Sequence, residues 1–231
     1  MESHADDTII RLRDVSIQFE GRSLFEDVNL DVRRGEFLAV SGPNGGGKTT
    51  LLRIILKLLK PTRGSVTYYE QHKPAKWLPI GYLPQKSMID VRFPITAGEV
   101  IRSGLITGWR FRMTDADRER FSQIVELTGT QDYLNRPVGD LSGGQLQRTL
   151  LGRALISQPE VVILDEPLSY VDKQFEHQIY SIMERVAQKA TVILVSHEMT
   201  YISRMATRHI LVDHGIHECT AHCHYTPSHC E

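Results

Sequence analysis

Residues 42–49, Gly42-Pro43-Asn44-Gly45-Gly46-Gly47-Lys48-Thr49, constrain this chain more than any other stretch. They spell G-x-x-x-x-G-K-[ST], a pattern with physical meaning where a strand runs into it and a helix leaves it. Both conditions hold. Phe37 to Ser41 reads as a strand. From Lys48 the spacing changes, and Leu51, Leu52, Ile55, Leu58 and Leu59 fall on one helical stripe that Pro61 stops. The glycines let backbone N–H groups close on phosphate oxygens, and the helix N-terminus adds positive potential. Lys48 then reaches the β- and γ-phosphates, the Thr49 hydroxyl ligates Mg2+, and Thr50 follows in the first turn. A Gly-rich turn that matched by accident would lack the flanking strand and helix.

The rest of the chain alternates strand and helix patterns. Ile9 to Leu12 and Val15 to Phe19 read as strands, with Val15, Ile17 and Phe19 on one face, and Asn29 to Val32 continues the pattern. Gly64 to Tyr69 and Ile80 to Leu83 follow. The middle, from about Thr96 to Gln158, reads as mostly helical: Thr96 with Glu99 and Thr114 with Asp117 have the spacing of capping boxes, and Ser142 can cap a third helix. Beyond it come a strand at Val161 to Leu164, a helix at about 172–187, a strand at Thr191 to Val195, a short helix near 198–205, and a strand at Arg208 to Val212. Unbroken apolar strands such as Val161-Val162-Ile163-Leu164 suit a parallel sheet covered on both faces.

Composition excludes several classes. The net charge is −1, with 24% charged residues, so no global attraction to nucleic acid or an anionic surface is expected. No apolar run approaches the roughly 18 residues of a spanning helix. The start, Met1 to Asp7, is acidic rather than signal-like. The expectation is a cytoplasmic chain that reaches a membrane through a partner.

Two further motifs carry chemistry. Val161 to Leu164 runs into Asp165-Glu166, two carboxylates at the C-terminal end of an apolar strand, where α/β sheets place their ligands. Asp165 is expected to hold Mg2+ through water, and Glu166 to polarise an attacking water. Leu141-Ser142-Gly143-Gly144-Gln145 opens a helix and offers free N–H groups to a second anion, although a simple N-cap would look the same.

With LSGGQ unaltered ahead of the acidic strand, the sequence resembles the ABC (ATP-binding cassette) ATPase family along almost its full length. The resemblance implies an α/β fold in which a P-loop NTPase parallel sheet is joined by an antiparallel β element and a helical subdomain. It implies ATP and Mg2+ as ligands, and ATP hydrolysis coupled to transport. Gln85 is implied as a ligand and sensor near Mg2+ and water, His197 as a γ-phosphate contact, and Phe19 as a ring against adenine, where a core strand residue is the competing reading. Ser142, Gly143, Gly144 and Gln145 would serve the nucleotide of a second copy in a head-to-tail sandwich dimer. Ser169-Tyr170-Val171-Asp172 stands where Ser-Ala-Leu-Asp is usual, and Gly46 replaces a more common Ala, which reads as a small change.

One cassette without sustained heptads favours a transporter subunit over a nucleoprotein or repair ATPase. The segments Ile80 to Gln85, Phe93 to Ala97 and Gly108 to Arg112 resemble the zinc/manganese-uptake importers. An integral membrane permease and, indirectly, a substrate-binding protein are the implied partners, with no nucleic acid. Trp109, beside Arg110 and Arg112, is expected near the permease. All three cysteines lie in a His-rich end: His214, His217, Cys219, His222, Cys223, His224, His229 and Cys230. Such density suits Zn2+, with His217, Cys219, His222 and Cys223 as candidate ligands, and equally suits a biased terminus without function. A metal-responsive regulatory subunit is a further alternative. The expected organisation is one domain over 1–231: a nucleotide-binding core at 1–86 and 159–213, a helical subdomain at 87–158, and a tail at 214–231.

Overall fold

The computed structural model describes residues 7–85, 90, 92–105, 113–168, 173–196 and 199–219. The chain divides into two compact units, Met1–Leu78 with Thr191–Glu231, and Pro79–Ala190.

In the first unit, β1 (Thr8–Phe19) and β2 (Arg22–Arg33) form an antiparallel hairpin, and β4 (Arg63–Glu70) and β5 (Lys73–Ala75) extend it to the order β2-β1-β4-β5. The two expected runs at the N-terminus are one strand. Its register shifts between Leu12 and Val15, where Asp14 takes φ 50°. A bulge at that point lets Ile9, Ile10 and Leu12 stay buried together with Val15 and Ile17, although the alternation breaks between them.

The same unit holds a parallel set: β3 (Phe37–Ser41) lies between β8 (Thr191–Val195) and β9 (Arg208–Val212). Every residue of β3 and β8 is buried, as near-continuous apolar strands require. A strand absent from the sequence reading, β10 (Ile216–Cys219), pairs antiparallel with β9 inside the segment expected to be tail. Helix α6 (Met199–Met205) packs on β3.

Helix α1 (Lys48–Ile55) ends sooner than its apolar stripe suggests, and Leu58 is 70% exposed rather than part of the buried face. Lys57 takes φ 56°, Lys57 N–H donates to Ile54 O, and Leu58 N–H donates to Arg53 O. This is a Schellman stop without its usual glycine. The cause is tertiary. The Tyr68 hydroxyl on β4 donates to the Ile55 carbonyl at 2.7 Å, and the Lys57 ammonium lies 3.8 Å from the Tyr68 ring centroid.

In the second unit, β6 (Ile80–Leu83) runs parallel to β7 (Val161–Asp165). Helices α2 (Ala97–Ser103), α3 (Asp115–Thr128) and α4 (Gly143–Leu155) follow the strand, and α5 (Lys173–Ala187) follows β7. Capping boxes form at Thr96/Glu99, Thr114/Asp117 and Ser142/Gln145, the three sites where spacing predicts helix starts. Ile101, Val125 and Ile156 make the helical core, with Phe121, Ile124 and Leu134 against it. Gly81 on β6 lies so close to α4 that a Cβ there would strike the Ala154 carbonyl. No helix among the described residues is long and apolar enough to cross a membrane.

Candidate functional site

The glycine-rich loop leaves β3 with Gly42 at φ 146°, Gly45 at 82° and Gly47 at 103°, conformations that only glycine adopts without strain. Gly47 is the N-cap of α1, and no side chain caps the helix. A helix N-terminus entered through a glycine turn favours an anion through the direction of its backbone N–H groups and its dipole. Lys48 is buried, and its ammonium donates to the carbonyls of Gly42 and Pro43, each at 2.9 Å. The charge is thus folded back over its own loop. Thr49 and Thr50 follow, half-buried, while Asn44 and Gly45 form the exposed rim.

Gly46 is not interchangeable with Ala here. A Cβ at that position would stand 2.6 Å from the Val212 carbonyl oxygen, a backbone atom that cannot swing away. The change read as small from the sequence is sterically significant. Phe19, at the end of β1 opposite Arg22, is 47% exposed, so the core reading of that ring is excluded.

In the second unit, parallel register pairs Leu83 of β6 with Leu164 of β7. Two residues beyond each, the chains bring Gln85 and Glu166 together, and the Gln85 amide donates to the Glu166 carboxylate at 3.0 Å. Asp165, the last residue of β7, is fully buried, whereas Glu166 is half-exposed with φ 53°. The two carboxylates part company through this left-handed kink, and an ordinary extended alternation does not describe them. A non-glycine residue in this region carries strain of a kind concentrated at functional sites.

Ser142 is exposed at the start of α4 and engaged in its box: Gln145 N–H donates to Ser142 Oγ at 3.2 Å, and Ser142 N–H donates to Gln145 Oε1 at 2.9 Å. Gly143 is half-buried, and Gly144 has open space on its Cβ side. Further along α4, Gln147 is almost completely buried and donates to the Pro167 carbonyl at 3.0 Å. It ties the helix that begins at Ser142 to the loop that follows Glu166. The sequence reading missed Gln147. Its signal was a polar residue on the stripe of Leu150, Leu151 and Ala154, where an apolar one is expected.

His197, Ser169 to Asp172, and the aromatic-basic segment with Trp109 lie outside the described residues. So do His222 and Cys223. His217 and Cys219 sit on β10, Cys219 directly opposite His209 of β9. Among the described residues no three His, Cys, Asp or Glu side chains converge to hold a metal.

The glycine loop suits the phosphates of MgATP through its backbone amides and its lysine, and the Thr49 hydroxyl is a hard oxygen of the kind Mg2+ takes; in the second unit, Asp165 offers a carboxylate of the same hard-oxygen class. A glycine-rich loop between a buried parallel strand and an uncapped helix, its lysine held over the loop carbonyls, defines a P-loop nucleotide-binding protein. The ABC transporter family model matches residues 25–169. The chain belongs to the ABC transporter family and is its ATP-hydrolysing component.

The chain is 32% identical to the high-affinity zinc uptake system ATP-binding protein ZnuC of Bacillus subtilis (strain 168), over 90% of this chain and 92% of that protein. It is 36% identical to the zinc import ATP-binding protein ZnuC of Pseudomonas fluorescens (strain Pf0-1), over 92% of this chain and 76% of that one. Among solved structures, it is similar to a dimeric ATP-binding cassette in a post-hydrolysis state bound to ADP and Pi. That likeness has a TM-score of 0.79 and 25% identity, and covers 93% of this chain and all of the other. The two curated relatives are named for zinc uptake and zinc import, which does not favour a nucleoprotein or repair role.

Proposed function

We propose that this chain powers uptake of a divalent metal, with zinc the first choice and manganese the second. It would act at the inner face of the cell membrane through a permease supplied by a substrate-binding protein. The reading is carried by the glycine loop with its buried Lys48, in a chain that aligns along most of its length with ATP-binding proteins named for zinc uptake and import. Residues Gly42, Pro43, Asn44, Gly45, Gly46, Gly47, Lys48, Thr49 and Thr50 hold the phosphates, and Phe19 lies against the base. Thr49, Asp165 and Gln85 would hold Mg2+, and the ion would neutralise charge on the phosphates. Glu166 polarises water while Gln85 orients its carboxylate, and His197 contacts the γ-phosphate. Ser142 to Gln145 serve the nucleotide of a second copy in a head-to-tail dimer.

The test is transport by the chain with its permease in proteoliposomes. MgATP should drive accumulation of radioactive zinc, and Glu166→Gln should stop it. Robust ATP hydrolysis with movement of neither zinc nor manganese would remove the metal reading.

The tail is proposed to bind Zn2+ through His217, Cys219, His222 and Cys223. Ligation needs thiolate and neutral imidazole, so affinity should fall with pH. Zinc titration of the whole chain and of a His222→Ala, Cys223→Ser variant decides: one tight equivalent should be lost in the variant, and equal binding by both would refute the site.

A further inference from the structure

The glycine loop is gripped by the last hairpin of the same unit. The His209 ring of β9 lies 2.7 Å from the Ser41 hydroxyl, and Ser41 is the residue that enters the loop. The Val212 carbonyl, at the end of β9, fills the space beside both Gly42 and Gly46, and a Cβ on either would strike it. His214, in the turn after β9, donates its backbone N–H to the Gly46 carbonyl at 3.2 Å.

The hairpin itself is firmly set. Asp213 N–H donates to the Gly215 carbonyl at 3.1 Å and closes the turn, and β10 pairs with β9 from Ile216 to Cys219. At its base, Arg208 donates to the Asp31 carbonyl at 2.7 Å and pairs with Glu36 at 3.2 Å and Glu218 at 2.7 Å.

We infer that the β9–β10 hairpin is the rear support of the phosphate cradle. In this role Gly46 is glycine so that the Val212 carbonyl can lie against the loop, and His209, through Ser41, is a positioning residue for nucleotide binding. The inference rests on the reading of Gly42 to Thr49 as the phosphate site and deepens it. Loop amides bind phosphate well only when already aimed, because charge-assisted hydrogen bonds weaken quickly with distance and angle. A shift of a few tenths of an ångström in Gly46 would misdirect that peptide, and with it the start of α1.

The experiment measures MgATP affinity by calorimetry on the whole chain, with KM, kcat and melting temperature for each variant. Gly46→Ala should weaken binding by about tenfold, with KM rising more than kcat falls. His209→Ala and Ser41→Ala should each weaken it about three- to tenfold, the value of one hydrogen bond. The double variant should be no weaker than the worse single one, because both remove the same contact. His209→Gln, which can still meet the Ser41 hydroxyl, should recover most of the affinity. Additive effects, a fall in melting temperature with unchanged affinity, or normal binding by Gly46→Ala would each overturn the inference. Lys48→Ala separates the two layers. If it abolishes binding while the hairpin variants bind normally, this inference alone falls; if it binds normally, the phosphate-site reading falls with it.

Discussion

The glycine loop and the acidic turn are both loops at strand ends with proposed roles at the nucleotide, yet they are held by different kinds of contact. Around the glycine loop most contacts end on backbone: Lys48 on two carbonyls, His214 N–H on Gly46 O, Val212 O against Gly42 and Gly46. Around the acidic turn, among the described residues, side-chain amides donate from Gln85 to the Glu166 carboxylate and from Gln147 to the Pro167 carbonyl. The first loop is specified by shape, and it should be intolerant of added volume. The second is specified by functional groups, and it should be intolerant of lost chemistry even when volume is kept.

The largest expected effect tests the chemical side. Glu166→Gln preserves volume, so ATP affinity should stay within a few-fold while steady-state hydrolysis drops by about 10²–10⁴. Loss of affinity on the same scale would break the contrast. Next is Gly42→Ala, which adds one methyl where φ is 146° and the Val212 carbonyl blocks a Cβ. Strain of this kind costs about 1–3 kcal/mol, visible as a lower melting temperature together with weakened MgATP binding. A variant with normal melting and binding would show that the loop is not specified by shape.

Gln147→Leu keeps size but removes the donor to Pro167 O. About 1–2 kcal/mol of stability should be lost in urea denaturation, with kcat falling several-fold and KM nearly unchanged. A KM effect alone would place Gln147 with the nucleotide cradle instead. The smallest effect is expected from Ser142→Ala, which removes half of a capping box and about 1 kcal/mol of stability. Nucleotide affinity of the isolated chain should not change, since the proposed role of Ser142 is toward a second copy. Weaker binding in the monomer would sharpen the picture in the other direction, by giving Ser142 a role in its own chain.

What could be read from sequence was local. Gly42 to Thr49, the three capping boxes and the Val161 to Leu164 strand each announce themselves within a few residues, and the structure has them in place. What escaped depends on partners distant in the chain. The stop of α1 needs the Tyr68 ring and hydroxyl, and a lysine in a left-handed conformation gives no warning of it. The tightness at Gly46 comes from Val212, and the strand at Ile216 to Cys219 exists because β9 offers it an edge. Phe19 could be core or surface on alternation alone, and the exposure of the strand end decides it. Gln147 was hidden because a buried amide and a helix-surface amide look the same in sequence until the helix face is known.

Strand β10 has one more consequence. It flanks β9 in the order β10-β9-β3-β8, so the peptide groups of His209 to Val212 are covered by it. A chain cut before Ile216 would present those groups bare, beside an apolar ladder, as a template for pairing between molecules. Such a fragment should self-associate and precipitate on concentration. The short natural flank, carrying exposed His217 and Glu218, discourages that assembly.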